Sequence, residues 1–429
     1  KPQAVIPLIP KFHKKPSDKP AWRPVSGYRG DKGNFVSPIA RQASLALRGI
    51  QDTLLCSLEA QRRVDGVRRT PMITETRDFK SRLAALTDRW CNQPLHKTDF
   101  SDMFVSLEKK STWTNIHDAI TRAFVMKADS LGTNVKLVRM YPVTVMQKYK
   151  GTYWGDETSY PTGWSLETVT KGVKQVVDNA FIRNGDYVAT QRGCVTIGGE
   201  CAMEMANLSL MMIEWLHMEK LLQGPTAEHV KALHGYEGSV RYVDDCATDD
   251  EGLKLLPSPA QYGLQYSTKE TSTTIVFVGY GVATEGSVRI VLADKQTVMS
   301  MAITRYPHVQ SCMPGCTLIG CIIGSLHYAQ TTSDPQEAES VFNNVRRLFP
   351  AMIQRGYLLS MFEEAIQKYN PARKNAKADE SYRQRLVKIA SECIAEASNP
   401  RPNVRSTTSS RRSATPQPNL QPANIARIS

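Results

Sequence analysis

No stretch of the 429-residue sequence approaches the roughly 20 consecutive apolar residues of a membrane-spanning helix, so no membrane is expected among its partners. There is no Cys-x-x-Cys pair. The nine cysteines are odd in number, which speaks against a disulfide framework and for reduced thiols in a cytosolic or nuclear compartment. Cys312, Cys316 and Cys321 gather near His308, but their spacing fits no common zinc finger. No internal repeat is visible. An initiating methionine is missing too: the chain begins at Lys1, as a fragment or processed product does. Acid is the scarcer charge, 41 Asp and Glu against 54 Lys and Arg, for a net charge of +13. The imbalance is local. Residues 1–70 carry 14 Lys or Arg against five Asp or Glu, and the stretch from Asn399 onward has five Arg and no acid. Such an excess suits a polyanionic partner, with a charge-solubilised surface as the plainer reading.

What is present is ordinary in proportion: 41% apolar and 22% charged residues, enough for a packed core in two or three subdomains. Helical spacing runs from Asn34 to Arg63 through Ile39, Ala43, Leu47, Ile50, Leu54 and Leu58. It returns over Asp78–Trp90, 111–130, Leu166–Phe181 and Cys201–Leu222. Pro10-Lys11-Phe12-His13-Lys14 and Trp22-Arg23-Pro24-Val25-Ser26 read as two short strands joined by a polar loop. They form either a cation-bearing flap suited to a triphosphate or a plain basic arm. Residues 141–165 have no period and read as irregular. Tyr187–Thr190 reads as a strand after an Asn-Gly-Asp turn, and Gly263–Thr274 as a polar turn holding Lys269. Ile275–Ala283 and Ser287–Leu292 read as a hairpin closed at Glu285-Gly286. Past residue 300, helices are expected over Gln336–Phe349, Leu358–Tyr369 and Lys374–Glu396, followed by a disordered tail.

The stretch that organises the chain is Arg241-Tyr242-Val243-Asp244-Asp245-Cys246. Neighbours in extended chain point to opposite faces, so only a tight hairpin brings both acids toward one point. Two carboxylates that close repel unless a cation lies between them. Mg²⁺, with Mn²⁺ as a substitute, takes one or two protein carboxylates and completes its shell with phosphates and water. A two-metal phosphoryl-transfer site needs a further carboxylate. Asp99 supplies it, at the end of the short strand in Leu95-His96-Lys97-Thr98-Asp99-Phe100, with the aromatic Phe104 five residues on. Asp102 caps the following turn or adds to the acids. Either motif alone is more often a solvated turn or strand end.

Taken in order, these segments resemble a reverse transcriptase, most closely the Penelope-like retroelement branch related to telomerase. The resemblance spans roughly residues 5–370. It rests on Pro10–Lys14 with Trp22–Ser26, on Thr98–Leu107, and on Asn179-Ala180-Phe181 through Gly185, Gln191, Gly198 and Ala206-Asn207-Leu208. It continues through Arg241–Asp245, Phe277-Val278-Gly279-Tyr280, Asp294–Thr297 and Arg355-Gly356-Tyr357.

The resemblance implies an α+β right-hand polymerase. Fingers and basic arm would span 1–94. The palm, an antiparallel sheet packed on helices, would span 95–297 with its motifs at 98–107, 191–208, 241–246 and 263–297. A helical thumb would span 298–397, and a basic tail 398–429. It implies an RNA-directed DNA polymerase that adds deoxynucleotides to a primer 3′-hydroxyl, with an RNA template, a DNA or RNA primer and dNTPs as partners, in the nucleus or cytoplasm. Asp99, Asp244 and Asp245 would be catalytic and, with Phe100, would surround Mg²⁺. Lys11 and Arg23 would neutralise phosphate. Phe104 would lie under the sugar and exclude a ribose 2′-hydroxyl. Gln191 and Gly198 would contact the nucleotide, and Lys269 is a candidate proton donor to pyrophosphate. The chain departs from the family pattern at Ile197-Gly198-Gly199-Glu200 and Ala202-Met203, where Ser-Pro pairs are usual, at Gly279, where Asp is usual, and at Gln296, where Pro is usual. Glu200 adds negative charge near the expected triphosphate. These changes motivate the alternative: a nucleic-acid-binding protein on a polymerase fold with little or no catalysis.

Overall fold

The computed structural model describes residues 4–5, 8–10, 22–24, 27–28, 36–139, 152–156, 163–178, 181–184, 187–190, 201–293, 306–334, 339–370 and 380–398. The expected tail beyond residue 398 lies outside them. The chain divides into two compact units, 1–304 with 327–344, and 305–326 with 345–429.

The first unit opens with four short strands, β1 (Ala4–Val5), β2 (Leu8–Pro10), β3 (Trp22–Pro24) and β4 (Gly27–Tyr28). Helices α1 (Val36–Asp65) and α2 (Thr76–Trp90) follow, then β5 (Leu95–Phe100), α3 (Met103–Ser106) and α4 (Lys109–Leu131). Next come β6 (Val135–Arg139), β7 (Thr152–Asp156), α5 (Leu166–Asp178), β8 (Phe181–Asn184), β9 (Tyr187–Thr190) and α6 (Ala202–Gln223). The remainder is α7 (Ala227–Ala232), β10 (Ser239–Tyr242), β11 (Asp245–Thr248), α8 (Asp250–Leu255), α9 (Pro259–Tyr262), β12 (Tyr266–Ser272), β13 (Thr274–Phe277), β14 (Tyr280–Ala283) and β15 (Arg289–Leu292).

Mixed helix and sheet is thus the observed class. An amino-terminal ribbon is present, with Leu8–Pro10 rather than Pro10–Lys14 as its first strand: β2 pairs antiparallel with β3, Ile9 opposite Arg23, and residues 11–14 lie outside the described residues. β1 joins β4 and the β8–β9 hairpin in a second sheet, so strands from residues 1–94 and 95–297 share it. The irregular stretch expected at 141–165 contains a strand after all, because β7 pairs with β6 over Val135–Asp156. The helix expected to reach Phe181 stops at Asp178, and Phe181 begins β8.

Two helices, α1 and α6, contribute heavily to the main core cluster. α1 buries Ala43, Leu47, Ile50, Leu54 and Leu58, a stripe at helical period. α6 has no polar side for most of its length: Met205, Leu208, Leu210, Met211, Met212, Trp215 and Met218 are all buried. A helix apolar on every side belongs in the middle of a domain, and α6 packs against α1 and α4 within one cluster that also takes in α5.

A separate charged cluster ties α1 and α2 to the turn at Tyr236–Gly238. Glu237 accepts from Arg62 and Arg68, both at 3.1 Å, and from Arg82. Burial raises the Glu237 pKa, but the Arg82 and Arg68 guanidiniums outweigh it and hold the group at about 2, against an ordinary 4.5. A depressed carboxylate contributes stability that is complete above its unfolded pKa and is lost as pH falls through the folded one. Between those two values the folded state is expected to lose about 3 kcal/mol through this residue. Chemical denaturation across that range should show Glu237→Gln losing less stability than wild type on acidification, from a lower starting value.

The second unit contains α10 (Gly315–Thr331) up to Leu326, α11 (Ser340–Ile353) from Val345, α12 (Leu359–Lys368) and α13 (Glu380–Ser398). Phe349 and Phe362 pack with ring centroids 4.6 Å apart. Gly356, at φ +85, ends α11 in the left-handed region, with the Tyr357 N–H returning to the Met352 oxygen at 3.3 Å. This is the Arg355-Gly356-Tyr357 segment. The helices expected past residue 300 are present with shifted ends, and α10 absorbs Cys316 and Cys321.

Candidate active site

A four-stranded antiparallel sheet in the order β10-β11-β5-β12 carries the three acids. β5 lies inside it, between β11 and β12. Register decides what meets. Asp245 is the Cα partner of Asp99, and Tyr242 is the partner of Asp245. Directly opposed residues share a face, with Cβ atoms about 5 Å apart. Tyr242, Asp245 and Asp99 therefore form one row across the sheet, and Val240, Ala247 and Lys97 the next row on the same face. At that deeper end Leu95, Val240 and Ala247 are closed over by Phe79, Leu86 and Trp90 of α2 and by the β13–β15 meander. Toward the carboxylates the cover ends, and Asp99, Asp244 and Asp245 are each only partly buried.

Asp244 sits in the two-residue turn between β10 and β11. Val243, the first turn residue, has φ +56. A positive φ at the first position matches the twist of a hairpin, but a β-branched side chain there is strained. Both turn carbonyls are tied down. The Val243 oxygen accepts from Arg241 Nη1 at 2.9 Å, and the Asp244 oxygen from the Phe100 N–H at 3.3 Å.

The Arg241 guanidinium comes from the opposite face of the sheet. It is fully buried against Glu214 of α6, with Nη2 to Oε2 at 3.0 Å and both side chains at 0% exposure. Thr70 donates to Glu214 at 2.8 Å and Tyr262 at 3.2 Å. Burial, then Glu214, pushes the Tyr262 hydroxyl well above the ordinary tyrosine range, so it stays a donor. Burial likewise drives the Cys246 thiol up to about 12 and leaves it unreactive. On its free edge β10 is bridged by Met72, with the Arg241 N–H donating to the Pro71 oxygen at 2.8 Å. The turn is therefore fixed by α6, by β5 and by the 70–73 segment together.

The other expected site residues divide three ways. Phe100 is buried, packed edge-on to Tyr262 at 5.0 Å and stacked on Tyr266 at 5.4 Å. Phe104 lies on α3, just past the Asp99 strand, and is partly buried against the main core. Lys269 is not in a turn. It lies in β12 opposite Thr98, one register position from Asp99, and β12 carries a bulge between Tyr266 and Thr268. Arg23 is in β3 opposite Ile9. Lys11, Gln191, Gly198 and Glu200 lie outside the described residues. Asp102 occupies the N-cap position of α3 at φ 46 without a side-chain cap bond; its main-chain oxygen accepts from the Ser106 N–H instead. The expected hairpin of Ile275–Ala283 with Ser287–Leu292 is a three-stranded meander, because its first strand is broken by a turn at Val278 and Gly279, at φ +51 and +86. That φ is why a glycine is at home at 279.

Among the described residues, no three His, Cys, Asp or Glu side chains converge at a spacing that would hold a metal ion. The donor set still suits Mg²⁺, which needs only one or two protein carboxylates when phosphates and water supply the rest. Cys312, Cys316 and Cys321 form no such group with His308 either. Among the described residues no helix is long and apolar enough to cross a membrane. Sequence reasoning missed the Arg241–Glu214 pair. Its signal was available: one acid within Met211-Met212-Ile213-Glu214-Trp215-Leu216, and one cation in the apolar strand Val240–Val243.

No family model and no curated protein matches the chain. Solved structures do. Telomerase from Candida tropicalis, in complex with a fragment of telomeric RNA, is 15% identical with a TM-score of 0.45. That match covers 95% of this chain and 63% of the other. The Candida albicans telomerase, in complex with the same kind of fragment, is 12% identical with a TM-score of 0.49, over 92% and 61%. The BmCPV RNA-dependent RNA polymerase at its elongation state is 11% identical with a TM-score of 0.37, over 89% and 29%. The chain thus spans about three-fifths of the length of these telomerases. Identities and scores this low establish neither a family nor an activity.

Proposed function

We propose that this chain is a template-directed nucleotidyltransferase, and specifically an RNA-directed DNA polymerase of the Penelope-like kind. One observation carries the reading: Asp99 and Asp245 are direct cross-strand partners, with Asp244 beside them in a turn pinned from three sides. Like charges directly opposed in a sheet are destabilising. Their presence at the partly exposed end of an otherwise closed face suits a cation-binding role. Mg²⁺ held by one or two of the carboxylates Asp99, Asp244 and Asp245, with phosphates and water completing its shell, would lower the pKa of a primer hydroxyl and neutralise the departing pyrophosphate.

The chain's own residues have three tasks. The carboxylates would hold the cation, which would help to orient the phosphate-bearing substrate. The strand β5 fixes Asp99 while Arg241 fixes the turn, so no rearrangement is needed at the moment of reaction. Phe104, next to the strand end, lies under the sugar and excludes a 2′-hydroxyl. Lys11 and Arg23 screen triphosphate charge from the amino-terminal ribbon, Gln191 and Gly198 contact the nucleotide, and Lys269 offers a proton to the leaving group.

Primer extension on an RNA template tests this reading. Wild type is expected to use dNTPs, and Phe104→Ala to lose roughly 10- to 100-fold of its preference for dNTPs over rNTPs. Equal use of both by wild type would overturn the role of Phe104. The second reading, a nucleic-acid-binding protein with weak catalysis, is favoured by Glu200 and the missing Ser-Pro pairs. It expects tight RNA binding by a folded protein that does not extend.

A further inference from the structure

On their solvent sides α4 and α5 enclose an open groove of about 690 Å³ that none of the proposed catalytic residues lines. Trp113, His117, Thr170, Lys171, Lys174 and Asp178 border it. Trp113 and His117 stand one turn apart on α4, with ring centroids 5.7 Å apart and planes tilted by 51°. Lys174 Nζ lies 5.5 Å from the centre of the Trp113 ring. Lys171 and Lys174 project from α5 into water. Each pairs with an acid of its own helix, Lys171 with Glu167 and Lys174 with Asp178, both at 2.5 Å. Lys109 reaches the Asp178 main-chain oxygen at 3.2 Å, and Lys110 is exposed beside it.

Exposed ion pairs of this kind contribute little and exchange partners readily. A phosphate can take the place of either carboxylate. Flat rings beside ammonium groups are the combination that binds single strands: bases stack on the rings and the cations follow the backbone. An acidic polypeptide would use the cations but not the rings. A small apolar ligand is better served by an enclosed pocket than by an open groove. The net charge of +13 favours a polyanion.

We infer that the α4–α5 groove binds single-stranded nucleic acid, with Trp113 and His117 as base-stacking residues and Lys171 and Lys174 as phosphate contacts. Such a groove would hold a strand whether or not the carboxylates catalyse anything.

Fluorescence anisotropy with a labelled oligouridine tests this on the full chain in EDTA, which silences any metal-dependent contribution. Trp113→Ala is expected to weaken binding about tenfold, whereas Trp113→Phe stays near wild type. His117→Ala, at an exposed position, should weaken it less but in the same direction, and it serves if Trp113→Ala misfolds. Lys171→Ala with Lys174→Ala should reduce the slope of log affinity against log salt by about 1.4, two contacts at about 0.7 each. Lys231→Ala with Lys254→Ala, two exposed lysines away from the groove, each paired to an acid of its own helix, should leave the slope unchanged. Affinity and slope unchanged in the groove variants would overturn the inference. So would competition by a duplex or by polyglutamate equal to that of the single strand. An arm with oligodeoxythymidine tells whether the groove serves RNA or DNA.

Discussion

Asp99→Asn and Asp245→Asn are each expected to cut nucleotide addition by about a thousandfold or more while making the metal-free protein slightly more stable. The two effects have one cause. The opposed carboxylates repel across the ladder, so neutralising either one relieves about 0.5 kcal/mol of strain in the folded sheet. On the proposed reading the same change removes negative charge that a bound cation would need, and a cation in such a site would supply several kcal/mol of transition-state stabilisation. Thermal melts in EDTA should place both variants at or above the wild-type midpoint. Added Mg²⁺ should raise the midpoint of wild type more than that of either variant. A variant that melts lower and still extends primers at the wild-type rate would mean that the row Asp99–Asp245 is structural.

Arg241→Met is expected to cost about 3–5 kcal/mol, the largest stability effect of any single change near the site. It leaves Glu214 buried at 0% exposure with only two hydroxyl donors, Thr70 and Tyr262. The double variant Arg241→Met with Glu214→Leu should recover most of that stability, because a well-packed apolar pair avoids burying charge at all. Activity should not return with it. The Arg241 Nη1 bond to the Val243 oxygen is the side-chain tether on a turn strained at φ +56, and methionine cannot make it. Urea denaturation and primer extension on the same three proteins separate the two roles. Recovery of activity along with stability would show that the turn needs no tether.

Much of this was legible in the sequence because the signals were local. The stripe from Ala43 to Leu58 gave α1, and the need to bring Asp244 and Asp245 toward one point gave the hairpin. The failures have physical causes. β12 reads Tyr-Ser-Thr-Lys-Glu-Thr-Ser, a polar edge strand with no apolar alternation, so Lys269 was assigned to a turn. Val278 looks like a strand residue, yet it occupies a left-handed turn position, which merged β13 and β14 into one expected strand. Register between β5 and β11 links residues nearly 150 positions apart, and only tertiary structure sets Asp99 against Asp245 rather than its neighbours. A lone acid and a lone cation in apolar segments signalled buried partners for Glu214 and Arg241, but only tertiary structure sets them against each other.

The most direct test of the central claim is extension of a primer on an RNA template with dNTPs and Mg²⁺, comparing wild type with Asp244→Asn. Wild type is expected to extend the primer and the variant to lose extension, with both proteins folded and bound to RNA. Extension that persists in Asp244→Asn, or its absence from folded, RNA-bound wild type, would contradict the assignment of the hairpin as a catalytic centre.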